Sequence, residues 1–239
     1  MKGIVQSGRA HYDGSEKVCL ILTGWSESKK SMIFIRYENW KSYLKFFPLT
    51  SLLLIANVIM FLVLTFNGGS TNSLVLLQYG ALTNYELLAH EWWRYVTSIF
   101  LHAGFSHLLF NSFALIVFAP PMERLLGSLR YGLLYLGGGV VGNVLAIAYY
   151  NSIDKITISV GASGAIYAVY GAFLYVALFQ RGLMDETSRK TLYTLLLFGI
   201  IFSFAMSGIN WMAHLGGLLG GFFIYGLIIR LWKPRMFRK

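Results

Sequence analysis

Ser159-Val160-Gly161-Ala162-Ser163-Gly164-Ala165-Ile166-Tyr167 sets a serine between two glycines at the mouth of an apolar helix. Gly161 and Gly164 remove side chains on either side of Ser163, so the chain can turn sharply into the helix and a substrate backbone can come close. The Ser163 N–H is then one of the unpaired donors of a helix N-terminus, where the helix dipole favours developing negative charge. Plain helix packing is the competing reading, because small residues also let membrane helices touch. The choice depends on what the rest of the chain brings to Ser163.

Outward from that stretch the chain is apolar: 56% of residues are hydrophobic, 13% are charged and the mean hydropathy is +0.59. These values exclude an ordinary soluble domain and indicate an all-α integral membrane protein. Six stretches, roughly 49–66, 106–122, 131–150, 163–180, 191–206 and 212–231, are apolar enough to be spanning helices. Alternating their connections gathers 18 of the 20 Lys and Arg on one side and leaves Arg94 and Lys155 on the other. By the positive-inside rule both termini are cytoplasmic. Topology thus accounts for the net charge of +10, and no nucleic-acid partner is needed. The expected organisation is a basic cytoplasmic segment over 1–48, a six-helix domain over 49–231 and a basic cytoplasmic tail over 232–239.

The N-terminal segment has no signal-peptide pattern, and its short apolar runs 18–22 and 32–37 suit a small hairpin. Residues 1–31 read as an appendage. Cys19 is the single cysteine, so no intramolecular disulfide framework exists. Asn67-Gly68-Gly69-Ser70 ends the first long helix, and a connection of almost 40 residues follows, rich in interfacial aromatics such as Tyr85, Trp92, Trp93 and Tyr95. Loops of that length are functional or carry their own structure. Arg94 stands three residues after Glu91. It either pairs with that carboxylate or caps carbonyls and stiffens the loop, or it is an exposed charge in a wet loop.

The second helix holds His102, His107 and Asn111; the last two are four apart and share one face. Polar groups at membrane depth point into the bundle or a wet cavity, although a His–Asn pair can also simply bridge two helices. The pattern for a metal is absent: there is no His-Glu-x-x-His and no cysteine cluster. Pro120-Pro121 is expected to end this helix. Small residues then recur every four positions at Gly164, Ala168 and Ala172 in the fourth helix and at Ala213, Gly217 and Gly221 in the sixth, beside His214. Such stripes allow close approach. The Phe- and Leu-rich fifth helix reads as a wall or a gate.

Counting the helical rise from the basic residue at each cytoplasmic end puts Ser163 about 27 Å away, His214 about 24 Å, His107 about 26 Å and Asn111 about 20 Å. All four therefore fall in the outer part of a hydrocarbon layer roughly 30 Å thick. A serine beside a histidine is a nucleophile and its general base. No carboxylate stands at that depth, so the pair is a dyad. His107 and Asn111 could hold an oxyanion together with the Ser163 N–H, and Tyr167, four residues beyond Ser163, could pack on the His214 ring.

These residues resemble the rhomboid intramembrane serine proteases over about 45–231. Glu91-Trp92-Trp93-Arg94 is similar to the family's first-loop motif, His102…His107-x-x-x-Asn111 to its second-helix motif, Gly161-Ala162-Ser163-Gly164 to its nucleophile motif, and Ala213-His214-x-x-Gly217-x-x-x-Gly221 to its sixth-helix motif. The resemblance implies a six-helix bundle with a long interfacial loop between helices 1 and 2. It also implies a Ser163/His214 dyad, oxyanion assistance from His107 and Asn111, and Tyr167 stacked on His214. The implied substrates are single-span membrane proteins cut in or near their helix, with no cofactor and no metal. Many relatives carry an arginine two residues after Glu123, where this chain has Leu125 and places Arg124 first. The lack of a seventh helix points to the compact type of a bacterial cell membrane. The alternatives are a catalytically silent rhomboid-like binding protein or chaperone, which would lack Ser163 or His214, and a transporter, which would show inverted repeats.

Overall fold

The computed structural model describes residues 34, 38–205 and 208–232. The chain divides into two units, 1–31 and 32–239, and only the second contains described residues. Cys19, most of the expected 18–22 and 32–37 hairpin, and the tail beyond 232 lie outside them.

Helices α1 (Trp40–Phe46) and α2 (Pro48–Phe66) lead into a structured connection made of α3 (Ser73–Gln78), strand β1 (Leu82–Thr83), α4 (Arg94–Thr97) and a 3-10 turn (Ser98–Phe100). There follow α5 (Phe105–Leu126), α6 (Ser128–Ser152), strand β2 (Ile158–Ser159), α7 (Ser163–Phe179), a second 3-10 turn, α8 (Glu186–Ala205) and α9 (Trp211–Leu231). All six apolar stretches are helical, and α2, α5, α6 and α9 are long and apolar enough to cross a membrane. At 17 residues α7 is shorter, and α8 opens on a polar turn carrying Glu186, Arg189 and Lys190. The molecule is an all-helical membrane bundle whose lipid-facing surfaces expose Leu52, Ile55 and Ile59 on α2 and Phe198, Ile201 and Phe204 on α8.

The small-residue stripes interlock as their spacing implied. A Cβ on Gly217 would run into the Gly164 carbonyl, one on Gly221 into the Ala168 carbonyl, and one on Gly171 into the Leu218 carbonyl. Helix α6 joins from a third side, where a Cβ on Gly142 would stand 2.5 Å from the Ala213 oxygen. Backbones this close gain dispersion contacts along their whole length, the main attraction open to helices already surrounded by apolar lipid. The resulting α6–α7–α9 core brings Ser163 and His214 together from separate helices. Lower in the bundle, fully buried Tyr225 on α9 donates its hydroxyl to Gln180 at 2.7 Å.

Two helix boundaries differ from the sequence expectation. Pro120 and Pro121 do not end their helix; α5 runs through them to Leu126 and stops at Gly127, whose φ of 80° suits glycine. Prolines forgo ladder bonds, but a membrane helix packed among neighbours tolerates them. Likewise α8 starts at 186 rather than 191, because the Asp185 carboxylate accepts the Ser188 N–H at 2.9 Å and caps a polar first turn.

Glu123, two residues past the proline pair, is 2% exposed. Its carboxylate accepts the N–H groups of Leu49 and Thr50 at 3.0 and 2.9 Å and the hydroxyls of Thr50 and Ser128, both at 2.6 Å. It thereby caps the N-terminus of α2 from a different helix. Arg124 turns outward to Glu38 at 2.5 Å and covers the Phe47 ring.

Candidate active site

The long first connection has a small apolar core of its own, in which Leu64, Val75, Leu76, Ala81 and Leu101 pack together. Arg94, 4% exposed, fastens it: Nε donates to Glu91 at 2.6 Å, Nη1 donates to the carbonyls of Leu77 at 2.7 Å and Ala81 at 3.0 Å, and the guanidinium lies over the Trp93 ring. Both stiffening roles read for Arg94 are therefore realised, and the wet-loop alternative is not. A Cβ on Gly80 would meet Trp93 at 2.7 Å, so that ring seats directly on the neighbouring backbone.

This connection holds the segment that precedes the serine. Strands β1 and β2 pair antiparallel, Leu82 opposite Ser159 and Thr83 opposite Ile158. Asn84 adds bonds to the Thr157 N–H and the Lys155 carbonyl. The Gly161 N–H donates to the Ser98 carbonyl at 2.9 Å, while Asn143 of α6 donates to the Ser98 hydroxyl and the Tyr95 carbonyl. Gly161 itself has φ +123°, and a Cβ there would stand 2.6 Å from the His107 ring. Both the backbone turn and the approach of His107 therefore require glycine. Ser163 follows as the first residue of α7, and the first bond of that helix runs from Ile166 N–H to the Ala162 carbonyl. The Ser163 N–H consequently lies ahead of the ladder, as a helix N-terminus dictates. Gly164 takes part in the close approach that its four-residue stripe implied: a Cβ on Gly217 would run into the Gly164 carbonyl, so its backbone lies directly against α9.

On α9, Asn210 is the N-cap. Its side-chain oxygen accepts the Ala213 N–H at 3.1 Å, and its amide donates to Ser159 Oγ at 3.0 Å, which ties the start of α9 to the strand leading to Ser163. His214 comes one turn later, and its Nε2 is 2.8 Å from Ser163 Oγ. Tyr167 stacks on the imidazole with centroids 4.3 Å apart and planes 7° from parallel. The other ring nitrogen, Nδ1, is 2.7 Å from Ser203 Oγ on α8.

His107 and Asn111 lie along one face of α5, and the Asn111 amide donates to the His107 carbonyl at 2.9 Å, leaving its second N–H for another acceptor. His102, just before α5, packs its ring edge-on against His107 with centroids 5.2 Å apart. His102 is fully buried and supports the His107 ring from its edge. On the α8 side of His214 lies a mostly apolar cavity of about 90 Å³, where Tyr167, Ser203 and His214 meet Ile200, Phe204, Trp211, Leu215 and Leu218.

Of the residues that the sequence singles out, the structure gathers Ser163, His214 and Tyr167 in one contact set and His107, Asn111, His102 and Gly161 in another, and it places Glu91, Trp93, Arg94, Gly164, Gly217 and Gly221 in loop and helix contacts around them. Ser203, Asn210 and Asn143 join them, although no motif singles them out.

Comparison with known proteins gives this geometry its context. A family model described as the Rhomboid domain matches residues 89–231. The chain belongs to the rhomboid family. It is 40% identical over 205 residues to the putative rhomboid protease YdcA of Bacillus subtilis (strain 168), covering 85% of this chain and all of that protein. Rhomboid protease GluP of the same organism is 40% identical over 174 residues, 73% of this chain and 33% of GluP. Rhomboid-type serine protease 2 of Emericella nidulans is 33% identical over 134 residues, 55% of this chain and 26% of that protein. Within the rhomboid family the chain is a membrane-embedded serine endopeptidase, and a serine with its oxygen on a histidine nitrogen is the arrangement such an enzyme requires.

Proposed function

We propose that this rhomboid hydrolyses peptide bonds in or near the membrane-spanning helix of single-span proteins, with Ser163 as nucleophile and His214 as general base. The observation that carries the reading is the 2.8 Å contact between Ser163 Oγ and His214 Nε2. As Oγ attacks the scissile carbonyl carbon, its proton passes to Nε2, and the carbonyl oxygen becomes an oxyanion. The Ser163 N–H, the free Asn111 N–H and His107 stabilise that charge, each such donor typically lowering the barrier by about 3 kcal/mol in a water-poor site. Collapse of the intermediate expels the amine, which takes the proton back from His214 and leaves an ester on Ser163. Water, deprotonated in turn by His214, then releases the acid and regenerates the serine.

In this reading α7 and α8 cross the bilayer along with the four longer helices, both termini face the cytoplasm of a bacterial cell, and neither a cofactor nor a nucleic acid takes part. Co-expression with candidate single-span substrates tests it. Cleavage should occur with the wild type and vanish in Ser163→Ala at equal abundance. Cleavage that survives Ser163→Ala would remove Ser163 from the mechanism.

A further inference from the structure

Ser203 lies in the fifth apolar stretch, which otherwise offers the site only carbon. It is 5% exposed, and its hydroxyl makes three bonds. It donates to the Gly199 carbonyl one turn back at 2.7 Å, and its oxygen lies 2.7 Å from His214 Nδ1 and 3.1 Å from the Tyr167 hydroxyl. A serine hydroxyl has one hydrogen and two acceptor positions. When that hydrogen goes to Gly199, the oxygen accepts from its other two neighbours, an arrangement that puts the imidazole proton on Nδ1 and leaves Nε2 bare toward Ser163. Gly199 is part of the device, because a Cβ there would stand 2.6 Å from the Tyr167 hydroxyl. Gly199 and Ser203 are one turn apart on α8 and close around that phenol.

We infer that Ser203 is the positioning residue of this enzyme: by accepting the Nδ1 proton of His214 it holds the imidazole in the tautomer that can deprotonate Ser163, and it makes the competence of the base depend on the seating of α8. The inference rests on the Ser163/His214 reading. A serine offers no charge, so it orients the ring where a triad carboxylate would also stabilise the imidazolium. Among the helices that surround the dyad, α8 is the least held: Ser188, Leu192, Leu196 and Ser203 are its buried residues, whereas Leu197, Phe198, Ile201 and Phe204 face outward. Elements with few buried contacts open at low free energy. A displacement of the Ser203 turn removes the only acceptor from Nδ1 among the described residues and lets the proton move to Nε2, where it blocks the base. His214 therefore works as a base when the Ser203 turn of α8 is seated, and idles when it is not.

The test uses the full-length protein in detergent. Nitrogen-15 NMR of histidine-labelled wild type should find His214 protonated on Nδ1 and bare on Nε2; the reverse tautomer would overturn the inference without any variant. Ser203→Thr and Ser203→Val are nearly the same shape and differ by the hydroxyl. Ser203→Val should lower kcat roughly ten- to a hundredfold with KM unchanged, less than a base held in the wrong tautomer loses, and Ser203→Thr should recover to within about fivefold of wild type. Equal loss in both variants would make Ser203 a packing residue, and full activity in Ser203→Val would remove it from the mechanism. His214→Ala, run beside them, separates the two failures. Activity that survives His214→Ala means the dyad itself is wrong, whereas a dead His214→Ala with an active Ser203→Val leaves the dyad standing and overturns the positioning role alone.

Discussion

Replacing Glu123 by alanine should unfold this protein at a markedly lower temperature without changing the chemistry of the molecules that remain folded. In Glu123→Ala the two hydroxyls that its carboxylate accepts can rotate to other partners, but the N–H groups of Leu49 and Thr50 are fixed at the start of α2. Two such donors left unpaired cost about 1–3 kcal/mol each, and loss of the negative charge at a helix N-terminus adds about 0.3–1 kcal/mol. The expected loss is therefore about 4 kcal/mol, or roughly 8–16 °C in melting temperature for a protein of this size. Glu123→Gln keeps one accepting oxygen and should lose about half as much. Glu123 is 16 residues along α5 from His107, about 24 Å by helical rise, so serine reactivity per folded molecule should be unaffected. Melting is followed by tryptophan fluorescence in detergent at a fixed scan rate, because membrane proteins of this kind commonly unfold irreversibly. A Glu123→Ala protein that melts within about 2 °C of wild type would mean that water or relaxation satisfies those donors and that the cap contributes little.

Asn111→Ala should lower kcat by roughly ten- to a thousandfold with little change in KM, as measured by steady-state cleavage; an effect confined to KM would assign Asn111 to substrate binding. Acidification should reduce activity, because a protonated imidazole at His214 cannot take the Ser163 proton, and a pH–rate profile that stays flat into the acid range would argue against a histidine base. Deleting residues 1–31 should leave membrane insertion and cleavage intact, as judged by fractionation and substrate turnover, since every group assigned to the site lies beyond them.

What the sequence made legible was the part written in spacing. Four-residue steps of Gly and Ala placed α7 against α9, and the same step from Ser163 to Tyr167 put the phenol on the histidine, where it stacks at 4.3 Å. Ser203 was invisible because a lone serine in a Phe- and Leu-rich helix looks like any hydroxyl bonded one turn back; the partners that matter, His214 and Tyr167, come from two other helices. The role of Glu123 was hidden because its four donors belong to α2 and α6, and only tertiary folding brings them together. The signal for Asn210 was present, as an Asn before an apolar run is an ordinary N-cap, but its bond to Ser159 joins positions 51 residues apart. Pro120-Pro121 misled for the opposite reason: local propensity argued for a stop, and packing among neighbouring helices overrode it.

Covalent labelling by a small serine-directed fluorophosphonate tests the dyad most directly, because an isolated serine hydroxyl is a poor nucleophile at neutral pH and reacts only where a base takes its proton. In the folded wild-type protein, in detergent or lipid, mass spectrometry should find one phosphonylated residue, Ser163, and His214→Ala should abolish the labelling although Ser163 is still present. A folded wild type that resists the probe, or a His214→Ala protein labelled at Ser163 as fast as wild type, would contradict the assignment of His214 as the base that activates Ser163.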